Sequence, residues 1–212
     1  MLLVDDHAIL REGFAELINS YSGLEVCGQA NTAARAMAAV ERLKPDLVVV
    51  DLSLEGRSGL ELVKDLKALR PALPMLVLSM HEENLYAERA LRAGALGYVM
   101  KREDSKTVLA AIQTVLQGKV FLSHEMSELL LHKVVGRERR SKAAGLAQLS
   151  DRELEVFEMI GEGRTTRQIA RQLNLSISTV ETHRAHIKEK LHLRNPAELM
   201  RAAMERTTAA SA

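Results

Sequence analysis

The chain has 212 residues, 47% hydrophobic and 27% charged, with a formal net charge of +1, which fits one large or two small globular domains. No stretch reaches the roughly 18–20 apolar residues of a membrane-spanning helix, which excludes an integral membrane protein on sequence grounds. The single cysteine, Cys27, excludes an internal disulfide and fits a reducing cytoplasm, and we expect it to be a small buried residue within a strand.

The first 120 residues alternate short apolar runs with amphipathic stretches. Apolar runs of strand length lie near residues 2–4, 26–30, 46–52, 74–80 and 97–101. Helical periodicity lies over residues 8–19, 32–43, 58–70, 83–93 and 104–117. Apolar strands that alternate with helices predict a doubly wound α/β domain, a parallel sheet covered by helices on both faces.

The pattern changes after about residue 122. The sequence pattern predicts a short helix over residues 123–135 and a flexible linker over the polar, basic segment 136–145. Beyond it the sequence predicts only helices, over residues 151–161, 166–173, 177–191 and 196–206. Ser150 and Glu153 have the spacing of a capping box at the first of these. Residues 123–212 carry 15 Lys and Arg against 12 Asp and Glu, whereas residues 1–122 carry 14 against 16, an asymmetry that permits DNA binding by the second half.

Five polar residues end or follow the predicted strands, namely Asp5, Asp6, Asp51, Ser79 and Lys101. The carboxyl ends of parallel strands share one edge of a sheet, so these side chains are expected to converge. A divalent cation relieves the repulsion between close carboxylates, and oxygen ligands favour Mg²⁺. Asp51 would be a nucleophile able to form an aspartyl phosphate, with Lys101 and Ser79 contacting the phosphoryl oxygens.

Residues 1–120 resemble the receiver domain of bacterial response regulators. The resemblance is carried by VDDH (4–7), VVVDLSLEGRSGLEL (48–62), VLSMHEE (77–83) and GALGYVMK (94–101). It implies a five-stranded sheet of flavodoxin-like order 2-1-3-4-5, with Asp51 as phosphoacceptor. It also implies that Asp6, Asp51 and the Ser53 backbone carbonyl bind Mg²⁺ directly, Asp5 through water. Ser79 would be the switch hydroxyl and Tyr98 the switch aromatic residue.

The sequence departs from that family at two places. Glu55 replaces the proline that usually follows four residues after the phosphoacceptor, which adds negative charge beside the pocket. Only Met1–Val4 precede Asp5, fewer residues than the family usually has in this central strand. This is the pattern of a trimmed or mis-assigned start, with the catalytic groups retained.

Residues 165–191 have the layout of two helices joined by a tight turn. In the second helix Val180, Ile187 and Leu191 form the predicted buried face, and the opposite face carries small and polar residues that suit the major groove. The candidates for contacting phosphates are Thr166, Arg167, Arg171 and Arg184. The candidate DNA-binding residues are Thr166, Arg167, Thr179, Glu181, Thr182, Arg184, Ala185 and Lys188.

Residues 148–206 resemble the LuxR-type helix-turn-helix, in which the positions of Glu181, Thr182 and Ala185 face bases. Relatives often carry lysine where this chain has Glu181, and a carboxylate there can accept from a cytosine amino group. For His183 and His186 we expect packing or phosphate contact and not metal binding. Residues 196–206 resemble the family's dimerisation helix, with packing against the other helices as the alternative.

The combination predicts a receiver (1–120), a linker with a short helix (121–147) and a LuxR-type DNA-binding domain (148–208), the NarL/FixJ arrangement. Its implied function is a cytoplasmic transcriptional regulator that accepts phosphate on Asp51 from a sensor histidine kinase and binds promoter DNA as a homodimer. It would catalyse only its own phosphorylation and dephosphorylation. Two alternatives remain: a receiver that serves only for phosphorylation-independent dimerisation, and a haloacid-dehalogenase-type phosphatase, whose D-x-D motif is replaced here by Asp51-Leu52-Ser53.

Overall fold

The structure is a computed structural model that describes residues 1–135 and 143–210, with side chains at 145–207 in the second range. The chain divides into two compact units, with the boundary between Glu138 and Arg139. Among the described residues, no helix combines the length and apolar character needed to cross a membrane.

The first unit is a parallel sheet of five strands in the order β2-β1-β3-β4-β5, as predicted. The strands are β1 (Leu2–Val4), β2 (Gly28–Ala30), β3 (Val48–Val50), β4 (Met75–Ser79) and β5 (Gly97–Met100). The helices that cover it are α1 (Ala8–Asn19), α2 (Ala33–Leu43), α3 (Gly59–Leu69), α4 (Glu83–Ala93) and α5 (Ser105–Leu116). The predicted α/β fold is therefore confirmed.

The three central strands are buried almost completely, which explains their continuous apolar sequence. Side chains on one face of the sheet pack with α1 and α5 in a hydrophobic cluster that includes Leu3, Ile18, Val49, Leu76 and Ile112. Cys27 is exposed, so its predicted burial was wrong. It precedes β2, an edge strand that is covered less than the strands at the centre.

Helix α6 (His124–Val134) follows the sheet and packs against α4. Met126 of α6 is buried, and the Ser123 backbone N–H donates to the buried Glu83 carboxylate at 2.9 Å. Lys133 forms an ion pair of 2.6 Å with Glu88 of α4, which lowers the pKa of that carboxyl. The predicted helix of residues 123–135 is thus present, held to the receiver-like unit at both of its ends.

The second unit contains only helices among its described residues. They are α7 (Ala143–Leu146), α8 (Asp151–Gly161), α9 (Thr166–Gln172), α10 (Ile177–Lys190) and α11 (Pro196–Ala210). α7 begins within the segment 136–145 that was predicted as a flexible linker, and residues 136–142 of that segment lie outside the described residues. The capping box of Ser150 and Glu153 is confirmed at α8.

Candidate functional site: an acidic pocket and a helix-turn-helix

The register of the sheet brings the predicted polar residues to one edge. β1 pairs with β3 so that Val4 lies opposite Val50. Asp5 comes directly after Val4, and Asp51 comes directly after Val50. β4 ends at Ser79, and Lys101 directly follows β5. Four loops at the carboxyl edge of the sheet therefore supply the pocket, as expected for an open parallel sheet.

Lys101 bridges two of the carboxylates. Its Nζ lies 2.7 Å from Asp5 Oδ2 and 2.7 Å from Asp51 Oδ2. The Lys101 and Asp51 side chains are each only 2% exposed. Burial raises the pKa of Asp51, Lys101 opposes that effect, and Asp5 adds to it. One lysine thus balances only part of the negative charge of this acidic pocket.

The carboxylate oxygens differ in how they are engaged. Both oxygens of Asp5 have partners, because Oδ1 accepts from the His7 backbone N–H at 2.8 Å and Oδ2 faces Lys101. Asp6 Oδ1 and Asp51 Oδ1 are buried and accept no hydrogen bond from the residues that the structure describes. The His7 Nδ1 atom lies 2.7 Å from Asp6 Oδ1, but without the geometry of a hydrogen bond. Two buried oxygens are therefore available for a cation.

The residues fit a divalent metal ion. Ligand atoms of Asp5, Asp6, His7 and Asp51 all lie within 4.8 Å of one another. Orphaned carboxylate oxygens in a pocket with surplus negative charge are the ligands that a hard ion such as Mg²⁺ prefers. His7 was not predicted as part of this group, although its place directly after the two aspartates was a signal.

A second set of contacts links the loop after β3 with the loop after β4. Ser53 Oγ and His81 Nε2 share a hydrogen bond of 2.9 Å. The His81 backbone N–H donates to Ser79 Oγ at 3.3 Å, and Ser79 is fully buried. His81 was missed by the sequence reasoning, which had only its position two residues after Ser79 as a signal.

Tyr98 reaches the same loop from β5. Its side chain is 1% exposed, and its hydroxyl donates to the His81 backbone carbonyl at 2.8 Å. The His81 ring lies against Tyr86 of α4, with ring centroids 4.7 Å apart. The two predicted switch residues, Ser79 and Tyr98, therefore both contact His81, one through its amide and the other through its carbonyl.

Gly59 places the loop that carries Asp51. It is the first residue of α3, and its N–H donates to the Leu52 carbonyl at 2.9 Å. A Cβ at this position would meet the Asp51 carbonyl oxygen and lie 2.6 Å from Leu52 Cα. Only glycine lets the start of α3 approach the backbone of the acceptor loop this closely. Glu55, in the same loop, is exposed to solvent.

In the second unit, α9 and α10 form the two helices of the predicted helix-turn-helix. Val180 and Ile187 are fully buried as predicted, whereas Leu191, just past the end of α10, is half-buried. The opposite face of α10 exposes Glu181, Thr182 and Ala185, with Thr179 and Lys188 half-buried at its sides. On α9, Arg167 and Arg171 are exposed and Thr166 is half-buried. Small and polar side chains are therefore accessible on one helix face.

Three of the predicted DNA-binding residues contact one another. Thr166 Oγ1 donates to Glu181 Oε1 at 2.9 Å, across the two helices. Arg184 Nε lies 3.7 Å from Glu181 Oε2, and its Nη1 lies 3.5 Å from Thr166 Oγ1. The Arg184 side chain is only 15% exposed, so it is less available than the sequence suggested.

The histidines of α10 lie near Glu153 of α8. Lys190 Nζ contacts Glu153 Oε2 at 2.6 Å, and His186 Nδ1 lies 3.6 Å from Oε1 of the same carboxylate. His183 Nδ1 is buried without a hydrogen bond to the described residues, and burial lowers the pKa of its imidazole. Among the residues with described positions, the group of His, Cys, Asp and Glu close enough to hold a metal is the one around Asp51.

Known protein families match the first and the second unit separately. The family model of the response regulator receiver domain matches residues 1–113, and that of the bacterial regulatory proteins of the luxR family matches residues 147–203. The oxygen regulatory protein NreC of Staphylococcus carnosus is 32% identical over 210 residues, which cover 97% of each chain.

Two solved structures are also similar. A LuxR-family two-component response regulator from Aurantimonas is 34% identical, with a TM-score of 0.59 over 63% of this chain and 96% of that one. RcsB of Salmonella enterica serovar Typhimurium, bound to promoter rprA in the presence of the phosphomimetic BeF3⁻, is 25% identical, with a TM-score of 0.66 over 94% of this chain and 95% of that one.

Proposed function

The chain belongs to the two-component response regulators of the NarL/FixJ type, which join a receiver domain to a LuxR-type DNA-binding domain, and we propose that a phosphoryl group on Asp51 controls its binding to promoter DNA. The protein is a transcriptional regulator of this family. The observation that supports Asp51 as the acceptor is its buried carboxylate, held by Lys101 through one oxygen and without a hydrogen bond at the other.

The proposed reaction transfers a phosphoryl group from a phosphohistidine of a sensor kinase. An Asp51 carboxylate oxygen attacks phosphorus, the P–N bond breaks, and the kinase histidine leaves. Lys101 then provides positive charge for the phosphoryl oxygens, which offsets part of the added negative charge. When bound by Asp6, Asp51 and the Ser53 carbonyl, Mg²⁺ would neutralise charge on the same group. Asp5, whose oxygens are engaged already, would act on the ion only through water.

The switch is proposed to act through the loop after β4. The Ser79 hydroxyl turns from the His81 amide towards a phosphoryl oxygen, which removes one of the contacts that hold this loop. Tyr98 follows, because its hydroxyl is bonded to the His81 carbonyl. Glu83, two residues further along, accepts from Ser123, so that a shift of α4 reaches α6.

DNA binding is proposed for the exposed face of α10, in the cytoplasm where DNA and the kinase domain are accessible. One small module makes few base contacts, whereas a homodimer on two half-sites sums the free energies of both. α11 is the candidate dimerisation helix. Leu199 and Ala203 are buried within the unit, and Met204 is 44% exposed at its surface.

The acceptor is tested by phosphorylating the full chain with acetyl phosphate. We expect Mg²⁺-dependent addition of one phosphoryl group in intact-mass spectra, none in Asp51→Asn, and tighter binding of the wild type to duplexes recovered by binding-site selection. Equal labelling of both proteins would contradict the acceptor. Labelling without any change in DNA binding would favour the receiver as a dimerisation module that does not need phosphorylation.

The DNA face is tested by the dependence of binding on salt. Lys188→Glu should weaken binding to all duplexes and reduce the slope of log affinity against log salt by about one per protomer, because a phosphate contact releases a counterion. Glu189→Lys, at an exposed position of the same helix, is the matched variant, because it reverses charge in the opposite direction to Lys188→Glu. An unchanged slope in Lys188→Glu would contradict the assigned face.

A further inference from the structure

Glu181 is held in place by residues from both helices of the helix-turn-helix. Thr166, the first residue of α9, donates its hydroxyl proton to Glu181 Oε1 at 2.9 Å. Arg184, one turn further along α10, approaches Oε2 at 3.7 Å and Thr166 Oγ1 at 3.5 Å. The Glu181 side chain is still 57% exposed. The carboxylate is thus oriented without being covered.

This arrangement removes two disadvantages of a glutamate at a DNA-facing surface. A free glutamate side chain has three rotatable bonds, and ordering them on binding DNA weakens the contact. A lone carboxylate is also repelled by the phosphates, and the Arg184 guanidinium offsets that charge. Arg184 is 15% exposed, which fits a role in supporting Glu181 better than the phosphate contact predicted for it.

The carboxylate keeps acceptor capacity for a base. An ionised carboxylate has about four acceptor positions, and the Thr166 hydroxyl fills one of them. In the major groove cytosine itself presents an amino donor and no acceptor of its own. Adenine places N7 beside its amino group, guanine presents N7 and O6, and thymine presents O4 and a methyl group. An acceptor-only side chain in a fixed orientation therefore favours cytosine over the other three bases.

We infer that Thr166 and Arg184 are positioning residues that fix Glu181 as the reader of a cytosine amino group. The inference rests on the proposed DNA-binding function and deepens it, because it names the base and the residues that enforce the preference. It assigns Thr166 and Arg184 a role in base preference in place of phosphate contact.

The test is binding-site selection from a duplex library with a randomised central segment, using full-length protein phosphorylated with acetyl phosphate and Mg²⁺. The wild type should enrich cytosine at one position of each half-site, with a preference of about tenfold over the other bases in single-site duplexes. Glu181→Gln should move the preference at that position to adenine, since glutamine pairs with both N6 and N7. Glu181→Lys should move it to guanine.

The positioning role is tested by the base preference and not by affinity. Thr166→Val, which keeps the shape and removes the hydroxyl, should reduce the cytosine preference to about threefold, and Thr166→Ser should restore it. Arg184→Met should reduce it similarly. Arg171→Ala, at an exposed arginine of α9, is the control, because it should weaken binding to all duplexes while preserving the preference.

Unchanged cytosine preference in Thr166→Val and Arg184→Met, with wild-type helix content by circular dichroism, overturns the inference while DNA binding stands. A wild-type preference at this position that does not respond to Glu181 overturns it as well. Failure of the phosphorylated wild type to bind any duplex overturns the proposed function and this inference together.

Discussion

Replacing Asp51 by asparagine should stabilise the first unit when Mg²⁺ is absent. The substitution keeps the shape of the side chain and removes a negative charge at a position that is only 2% exposed. Lys101 is not left alone, because Asp5 Oδ2 still lies 2.7 Å away. The direction of the effect agrees with the pKa of Asp51, which is raised overall, chiefly by burial and also by the charge of Asp5, although Lys101 lowers it.

The magnitude is a difference between two larger effects. Taking the ionised carboxylate out of water costs several kcal/mol, and its hydrogen bond to the charged Lys101 contributes about 1.5–3 kcal/mol. Removing a buried charge is commonly neutral or stabilising by about 1–4 kcal/mol when its partner stays paired, so we expect Asp51→Asn to increase the free energy of unfolding by about 1 kcal/mol at neutral pH. For a unit of this size the melting temperature should rise by about 3–5 °C.

The dependence on pH has a definite sign. A carboxyl whose folded pKa lies above its ordinary value of 3.8 destabilises the fold fully above the folded pKa. As the pH falls through that pKa towards 3.8, the wild type binds a proton and regains stability, which asparagine cannot do. The difference in free energy of unfolding between Asp51→Asn and the wild type should therefore shrink on acidification. It should also shrink with Mg²⁺, since a ligand at ten times its Kd stabilises the wild type by about 1.4 kcal/mol.

The assay can follow the first unit within the full chain. All three tyrosines, Tyr21, Tyr86 and Tyr98, lie in that unit, and the chain has no tryptophan. Urea unfolding monitored by tyrosine signal therefore reports on it alone. Asp46→Asn, at an exposed position of the same unit, is the control and should change little. A less stable Asp51→Asn protein at neutral pH without Mg²⁺, or a gap that widens on acidification, would refute the reasoning.

Two further substitutions have matched controls. Gly59→Ala should lower the free energy of unfolding by about 2–3 kcal/mol in the tyrosine assay, because its Cβ displaces the loop that carries Asp51. The same substitution should slow labelling by acetyl phosphate. Gly13→Ala, with open space around the Cβ, is the control and should be neutral or stabilising. Lys190→Met should destabilise the second unit by about 2–3 kcal/mol, measured by far-UV circular dichroism, because it leaves the buried Glu153 carboxylate without its lysine. Lys188→Met is the control for Lys190→Met. Equal losses of stability in the two variants would contradict a specific role of Lys190 at Glu153.

Glu153 should also give the second unit a pH dependence of the opposite sign. Burial raises the pKa of Glu153, but hydrogen bonds from Lys190 and Ser150 outweigh it, so the pKa is lowered from 4.5. A lowered carboxyl pKa contributes stability that is present above 4.5 and is lost as the pH falls through the folded value. Helix melting should therefore move to lower temperature on acidification in the wild type, and less so in Glu153→Gln.

The sequence predicted the acidic pocket because its members sit at equivalent positions of successive strand–helix repeats. Asp5, Asp51, Ser79 and Lys101 each end or follow a strand, and a parallel sheet has one carboxyl edge. His81 carried no such signal, since its role depends on a hydrogen bond to Ser53 from a different loop. Cys27 was mispredicted because a local apolar run does not reveal where the strand begins or how little of an edge strand is covered.

The sequence by itself determined the elements and the set of polar residues available for chemistry, because periodicity, caps and strand ends are local properties; the strand order came from the resemblance to receiver domains. Only the tertiary structure decided how that set is used. It showed that both Asp5 oxygens have partners while Asp6 and Asp51 each keep a buried oxygen without a hydrogen bond, and that Glu181 is oriented by Thr166, 15 residues away in the chain. These hydrogen bonds depend on distances between side chains of different elements, which no local pattern encodes.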